Sequence, residues 1–351
     1  MSDLRLLIIG TGGMARAHCE AYQAIPGVTV VAGVDTNAER LAAFREKYGI
    51  ARGFASVAEA LAWGEFDAVS NVTPDPAHHP TTLPLLAAGK HVLCEKPLAA
   101  NYPDAAEMAA AAKAAGVVNM VNLTYRNVPA LMAGAKMVAE GAIGEVRHFE
   151  ASYLQSWLTQ PAWGQWDQES QWLWRLSSAH GSLGVLGDVG VHILDFATFA
   201  AGLFPTNLSC RLATFHKAPG DRVGEYVLDA NDSAVMHLRL SNGAIGVLHA
   251  SRFASGHLND LVLQLFGTTG GIEIRFERGE SRLRASLGED MLTGVWADVE
   301  TPPVRTNYER FVDAVREGRQ EMPDFARGAV LQKVLDLAME SDRRASADVE
   351  V

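Results

Sequence analysis

Three groups of residues in this chain have types and spacings that could do chemistry. The first is Gly10-Thr11-Gly12-Gly13-Met14-Ala15, a G-x-G-x-x-A turn. Its first glycine permits a tight turn, its second lets backbone approach a pyrophosphate, and small Ala15 lets a following helix pack on a sheet. The helix start, from Gly12, Gly13 and Met14 onward, would turn free N–H groups toward the phosphates. Asp35 follows 20 residues after Ala15 and ends a second apolar run. A carboxylate there accepts hydrogen bonds from the adenosine ribose hydroxyls and repels a 2′-phosphate, so NAD is expected and NADP is less favoured. The plain alternative is a structural turn with a helix cap at Asp35.

The second group is Glu95-Lys96-Pro97, at the carboxyl end of the apolar run His91-Val92-Leu93-Cys94. Ligands of open α/β sheets bind beyond such ends. A lysine there can hydrogen-bond a nicotinamide ribose and a substrate hydroxyl, although a lone lysine is most often a solvated charge. The third is Asp188 and His192, four apart and on one face if the segment is an α-helix. Gly184, Gly187 and Gly190 weaken that helix by up to about 1 kcal/mol each, which implies that a ligand or another backbone comes close. A surface Asp–His pair is the alternative. A zinc site would need a third ligand, and none stands at suggestive spacing, so no metal is expected.

The elements that must position these residues follow from periodicity. Apolar runs at Leu4–Ile9, Val28–Val34, Asp67–Val72, His91–Cys94 and Val117–Leu123 alternate with helical stretches such as Ala38–Tyr48 and Ala105–Ala115. That rhythm predicts a doubly wound parallel sheet, an α/β Rossmann domain over residues 1–125. From residue 126 the pattern changes. A helix over Pro129–Gly141, a strand over Gly144–Ser156, a helical Gly181–Ala201 and hairpin strands between 206 and 300 predict an α+β domain over 126–351. Helices are expected at about 307–317 and 325–344.

Asn71-Val72-Thr73-Pro74, His78 and the run Ala88-Gly89-Lys90-His91-Val92-Leu93-Cys94-Glu95-Lys96-Pro97-Leu98 resemble the Gfo/Idh/MocA family, that of glucose–fructose oxidoreductase and inositol dehydrogenase. The resemblance continues through Tyr125-Arg126, Glu140-Gly141-Ala142-Ile143-Gly144 and Met322-Pro323-Asp324. It implies that Lys96 contacts cofactor and substrate and that the Lys96–Pro97 bond is cis. It implies an open, mostly antiparallel sheet in the second domain, whose face makes a homodimer or homotetramer. It also implies that His192 is the general base, that Asp188 contacts substrate or tunes charge, and that Glu95, Thr73, Pro74 and His78 lie at the cofactor. An unperturbed histidine pKa near 6.5 suits such proton transfer.

Arg126 and Arg175 match positions near the family's substrate cleft, and His180 and Trp174 join them as candidates for substrate contact. Trp174 closes a stretch with Trp157, Trp163, Trp166 and Trp172, which suits a sugar-binding face, an oligomer interface or plain core. The substrate expected is a sugar, inositol or related polyol. NAD-dependent glycoside cleavage with no net redox is the alternative, and a nucleotide-sensing binding protein is a third reading.

Bulk properties agree with a globular enzyme. Charged residues make up 20% and the formal charge is −11, which disfavours nucleic acid and membrane partners. No run approaches 18 apolar residues, and the N-terminal run leads into a glycine turn rather than a cleavage site. Cys19, Cys94 and Cys210 lack metal spacing and fit free thiols in a reducing, cytoplasmic setting.

Overall fold

The computed structural model describes residues 3–161 and 163–351. The chain forms two compact units, Met1–Leu123 with Arg305–Gln332, and Thr124–Val304 with Lys333–Val351. The second expected domain, 126–351, is therefore interrupted. Residues 305–332 return to the first unit because Tyr308, Phe311, Val312 and Ala314 are buried in one cluster with Leu6, Ile8, Tyr22 and Met120. The helix carrying them, Asn307–Glu317, starts with a reciprocal cap between Thr306 and Glu309.

In the first unit, β1 (Leu4–Ile9), α1 (Ala15–Gln23), β2 (Val28–Val34), α2 (Ala38–Tyr48) and β3 (Arg52–Phe54) form one half. The other half is α3 (Val57–Trp63), β4 (Ala68–Asn71), α4 (Asp75–Ala87), β5 (His91–Cys94), α5 (Tyr102–Ala115) and β6 (Asn119–Val121). All pairings are parallel and the strand order is β3-β2-β1-β4-β5-β6. The order reverses between β1 and β4, so the carboxyl ends of those strands open a crevice suited to a dinucleotide. Leu6, Leu7 and Ile8 are fully buried, as expected of a strand covered on both faces.

The second unit holds a nine-stranded sheet in which β7 (Val146–Leu154) lies between strands Ile245–Ser251 and Asp260–Gly267. The first of these pairs with β7 in parallel and the second antiparallel; every other pairing is antiparallel. Ser233–Leu240 alternates buried and exposed residues, so one face of that strand is covered and the other open. Helices α6 (Pro129–Ala139) and Val191–Ala201 pack on each other and on the sheet.

The expected helix Gly181–Ala201 is not uniform. Leu186–Gly190 forms a π-helical turn before the regular Val191–Ala201. A π turn inserts an extra residue, so the four-residue spacing does not place Asp188 and His192 as it would in a straight α-helix. Among the described residues no helix is long and apolar enough to cross a membrane.

Candidate active site

The glycine turn of the first unit is built around two different demands. Gly10 has φ +83°, and a Cβ on it would lie 2.7 Å from the Val72 carbonyl oxygen, so protein packing requires glycine there. A Cβ on Gly12 or Gly13 would meet nothing within 4 Å. The space beside these two glycines is open, Met14 is exposed, and α1 has no side-chain cap at its start. Open space together with uncapped amides fits an anionic dinucleotide phosphate. Asp35 directly follows β2 and accepts from the Thr11 N–H and hydroxyl, each at 2.8 Å.

At the rim of β5, Glu95 turns inward. Its Oε1 lies 2.8 Å from His18 Nε2 and accepts from Asn122 Nδ2 at 2.6 Å, and its Oε2 accepts from the Lys96 N–H at 3.2 Å. His18 Nδ1 meets the Ser70 hydroxyl at 2.7 Å, and Asn122 also donates to the Tyr308 hydroxyl. Burial raises the Glu95 carboxyl, but the His18 hydrogen bond and charge, with Lys96 and Asn122, outweigh it and hold the group down to about 2. The Glu95 carboxylate thus joins the buried His18 and Asn122 side chains to the Lys96 backbone N–H.

His78 is also buried. Its Nδ1 and Nε2 lie 2.8 Å from the Pro97 and Thr73 carbonyl oxygens respectively. The ring therefore braces Thr73-Pro74 against the Lys96–Pro97 bond, which is cis. Thr73 is fixed further by its hydroxyl donating to Asn71 Oδ1 at 2.8 Å.

The second unit carries two preorganised groups. Asp188, in the π turn, accepts from Arg252 Nη2 at 3.0 Å and lies 3.8 Å from Arg175 Nε. Arg252 is buried, donates from Nη1 to the Arg175 carbonyl oxygen, and lies over the Trp157 ring at 5.0 Å. His192, one turn on, stands edge-on to Tyr125 with centroids 4.9 Å apart. The Tyr125 hydroxyl meets that of Tyr153, Tyr153 donates to Asn259 Oδ1, and Asn259 Nδ2 donates back to Tyr125 at 2.8 Å. These three polar ends satisfy one another in a closed ring. Burial pushes the Tyr125 phenol up to about 12, so it stays protonated across the neutral range.

The remaining candidates separate. Arg126 was expected at the substrate but is buried, with Nε and Nη2 donating to Asp195 at 2.6 and 2.8 Å and its guanidinium over Phe199. A guanidinium with a matched carboxylate and a ring face is committed to the interior. His180 is exposed and leans on Tyr226. Arg175 lies 4.6 Å from the centroid of the half-buried Trp174. Trp157 belongs to a satellite core with Leu158, Leu173, Leu176 and Leu228, against which Trp166 and Trp172 pack, so core packing accounts for much of the tryptophan-rich stretch. Arg252, Tyr153 and Asn259 were not legible beforehand, because their partners arrive through long-range strand pairing.

Residues 4–123 match a family described as an oxidoreductase family with an NAD-binding Rossmann fold, and residues 132–273 match the C-terminal domain of the same family. The chain belongs to the Gfo/Idh/MocA family. Among Gfo/Idh/MocA proteins it is 27% identical to levoglucosan dehydrogenase of Pseudarthrobacter phenanthrenivorans, over 99% of this chain and 98% of that one. It is 32% identical to 1,5-anhydro-D-fructose reductase of Ensifer adhaerens, over 84% of this chain and 87% of the relative. A solved levoglucosan dehydrogenase in complex with NADH and L-sorbose superposes with a TM-score of 0.87 at 27% identity, covering 99% of this chain and 98% of that chain. The first unit of this chain is thus the NAD-binding Rossmann domain of a Gfo/Idh/MocA oxidoreductase.

Proposed function

We propose that the protein is an NAD(H)-dependent dehydrogenase acting on a secondary hydroxyl of a sugar, inositol or related polyol. The observation that carries this reading is the full-length match to a dehydrogenase solved with NADH and a sugar, in a chain with an open phosphate cradle. When bound, the cofactor's nicotinamide supplies the two-electron acceptor for the substrate C–H. Gly12, Gly13 and Met14 present backbone to its phosphates, and Asp35 recognises its adenosine ribose, which favours NAD over NADP. Thr73 and Pro74 form its loop, held by His78.

In this reading His192 takes the hydroxyl proton as the carbonyl forms and returns it in the reductive direction. Lys96 stabilises alkoxide character on the same oxygen. Asp188 accepts from a neighbouring substrate hydroxyl, oriented by Arg252, and Trp174 and Arg175 contribute an apolar face and a donor. Glycoside cleavage without net redox is less favoured, since the two relatives named above are a dehydrogenase and a reductase. The second-unit sheet, with Val235 and Ile245 exposed on its open face, supports a homodimer or homotetramer. Three buried free thiols support a reducing, cytoplasmic setting.

A steady-state assay with NAD and a panel of cyclic polyols, aldoses and anhydrosugars tests the activity. NADH formation with at least one is expected; none with any would refute the proposal.

A further inference from the structure

Lys96 lies just beyond the ladder of β5. The strand ends at Cys94, whose carbonyl oxygen accepts from the Asn122 N–H, and the Glu95 N–H donates to the Asn71 carbonyl oxygen. The next N–H, that of Lys96, is met by the carboxylate of its own neighbour, 3.2 Å away at Glu95 Oε2. On the other side His78 Nδ1 meets the Pro97 carbonyl oxygen at 2.8 Å. The peptide that carries Lys96 is thus set by where the Glu95 carboxylate stands.

Glu95 Oε1 is held in turn by two donors. The amide orientation of Asn122 is fixed because its Oδ1 accepts from Asn307 Nδ2 at 3.2 Å. Its two Nδ2 hydrogens go to Glu95 Oε1 at 2.6 Å and to the Tyr308 hydroxyl at 3.1 Å. The approach of the same Nδ2 to His18 Nε2, at 3.3 Å, is therefore a contact between two donors. Glu95 is ionised across the neutral range, and a carboxylate only accepts. His18 Nε2 accordingly carries its hydrogen and donates to Oε1 at 2.8 Å. The Ser70 hydroxyl, 2.7 Å from Nδ1, and the edge-on Tyr308 ring, with centroids 5.0 Å apart, fix the plane of the imidazole. His18 is fully buried, where a charge-assisted bond is stronger than in water.

We propose that His18 is a positioning residue for the reaction: through Glu95 it fixes the peptide that carries Lys96, and so links the placement of that amine to the helix that receives the dinucleotide. The proposal rests on the role given to Lys96 above. His18 is the fourth residue of α1, whose open start beside Gly12, Gly13 and Met14 is the phosphate cradle. One rigid helical turn thus joins the phosphate end of the site to the Lys96 peptide. A displacement of about 1 Å in a reacting group costs on the order of 10²-fold in rate, which sets the scale of what this one bond controls. Two amide side chains separate the roles of the two ring nitrogens. A glutamine amide nitrogen reaches to where Nε2 stands and keeps the bond to Glu95. An asparagine amide nitrogen reaches only to where Nδ1 stands and keeps the contact with Ser70.

The test is kcat, KM and NADH affinity of full-length His18→Asn and His18→Gln, with the polyol or sugar of the assay panel that gives the fastest NADH formation. His18→Asn lowers kcat about 10- to 100-fold, while NADH affinity stays within about threefold. His18→Gln restores kcat to within about threefold of the unaltered protein. In a Lys96→Met background His18→Asn costs less than about threefold, because the amine it positions is gone. Ser70→Ala removes a single hydroxyl from the far side of the ring and decides the matter where His18→Asn does not fold, which circular dichroism verifies; it lowers kcat a few-fold at unchanged NADH affinity. Equal kcat in the Asn and Gln variants, or in Ser70→Ala and the unaltered protein, would overturn the proposal and leave the dehydrogenase reading intact. So would a full loss from His18→Asn on top of Lys96→Met. An unaltered protein that oxidises no member of the panel would overturn that reading and this proposal together.

Discussion

Arg252 donates from Nη2 to Asp188 at 3.0 Å, and the arginine side chain is fully buried while that of the aspartate remains 25% exposed. The pair is asymmetric: the cation is held inside by the Arg175 carbonyl and the Trp157 face, and the anion looks partly outward. An aspartate held from behind in this way is oriented by a rigid partner rather than by a mobile side chain.

Asp188→Asn removes the counter-charge of a buried guanidinium. The expected loss is about 1–3 kcal/mol, below the cost of breaking a fully buried pair because water reaches the aspartate side. Urea denaturation measures it. A midpoint unchanged from the parent would mean that Arg252 does not depend on Asp188.

The glycine turn yields a contrast between two neighbouring substitutions. Gly10→Ala forces a Cβ to within 2.7 Å of the Val72 carbonyl oxygen at a positive φ, so thermal stability falls. Gly12→Ala meets open space and leaves the melting temperature unchanged, but it fills the place of a close-approaching phosphate and weakens NADH binding by tenfold or more, about 1.4 kcal/mol. Melting curves and NADH titration of the two variants separate the roles.

Glu95 gives stability a defined acid limb. Its folded-state pKa of about 2 lies below the ordinary value of 4.5, so its contribution is present above pH 4.5 and is lost as pH falls from there toward 2. The expected loss is on the order of 3 kcal/mol. Glu95→Gln is less stable at pH 7 and shows a flatter decline across that window. Urea midpoints at pH 7, 4.5 and 3 provide the comparison; parallel declines in parent and variant would contradict it.

Tyr153→Phe opens the hydroxyl ring that holds Tyr125 against His192. Turnover falls about tenfold, the worth of one buried hydrogen bond, with NADH affinity unchanged. If kcat, KM and the pH profile all match the parent, the ring has no part in positioning His192.

Much of the first unit was legible because its signals are local. β1, β2, β5 and α2 fall on the residues that apolar runs and helical periodicity indicate, and Asn37 and Gly49 mark the ends of α2. The three-residue β3 was not legible, since Arg52–Phe54 carries no strand pattern and is set by pairing with β2. The same contrast holds at the site. The glycine turn and Asp35 follow from short motifs, and the cis Lys96–Pro97 bond from the family resemblance. The inward turn of Glu95 depends on His18 and Asn122, 77 and 27 residues away, and the pairing of Arg126 depends on Asp195, 69 residues away. The π turn at Asp188 replaces the regular helix that glycine spacing alone could not rule out.

We propose that Lys96 and His192 act on one oxygen of the substrate. A double-mutant cycle on Lys96→Met and His192→Ala, with kcat measured at saturating NAD and the best substrate of the polyol panel, tests it most directly. His192→Ala alone should reduce turnover by about 10²–10⁴ while NADH still binds. The double variant should lose far less than the product of the two single losses, because each group loses its role once the other is gone. Strictly multiplicative losses would contradict the account.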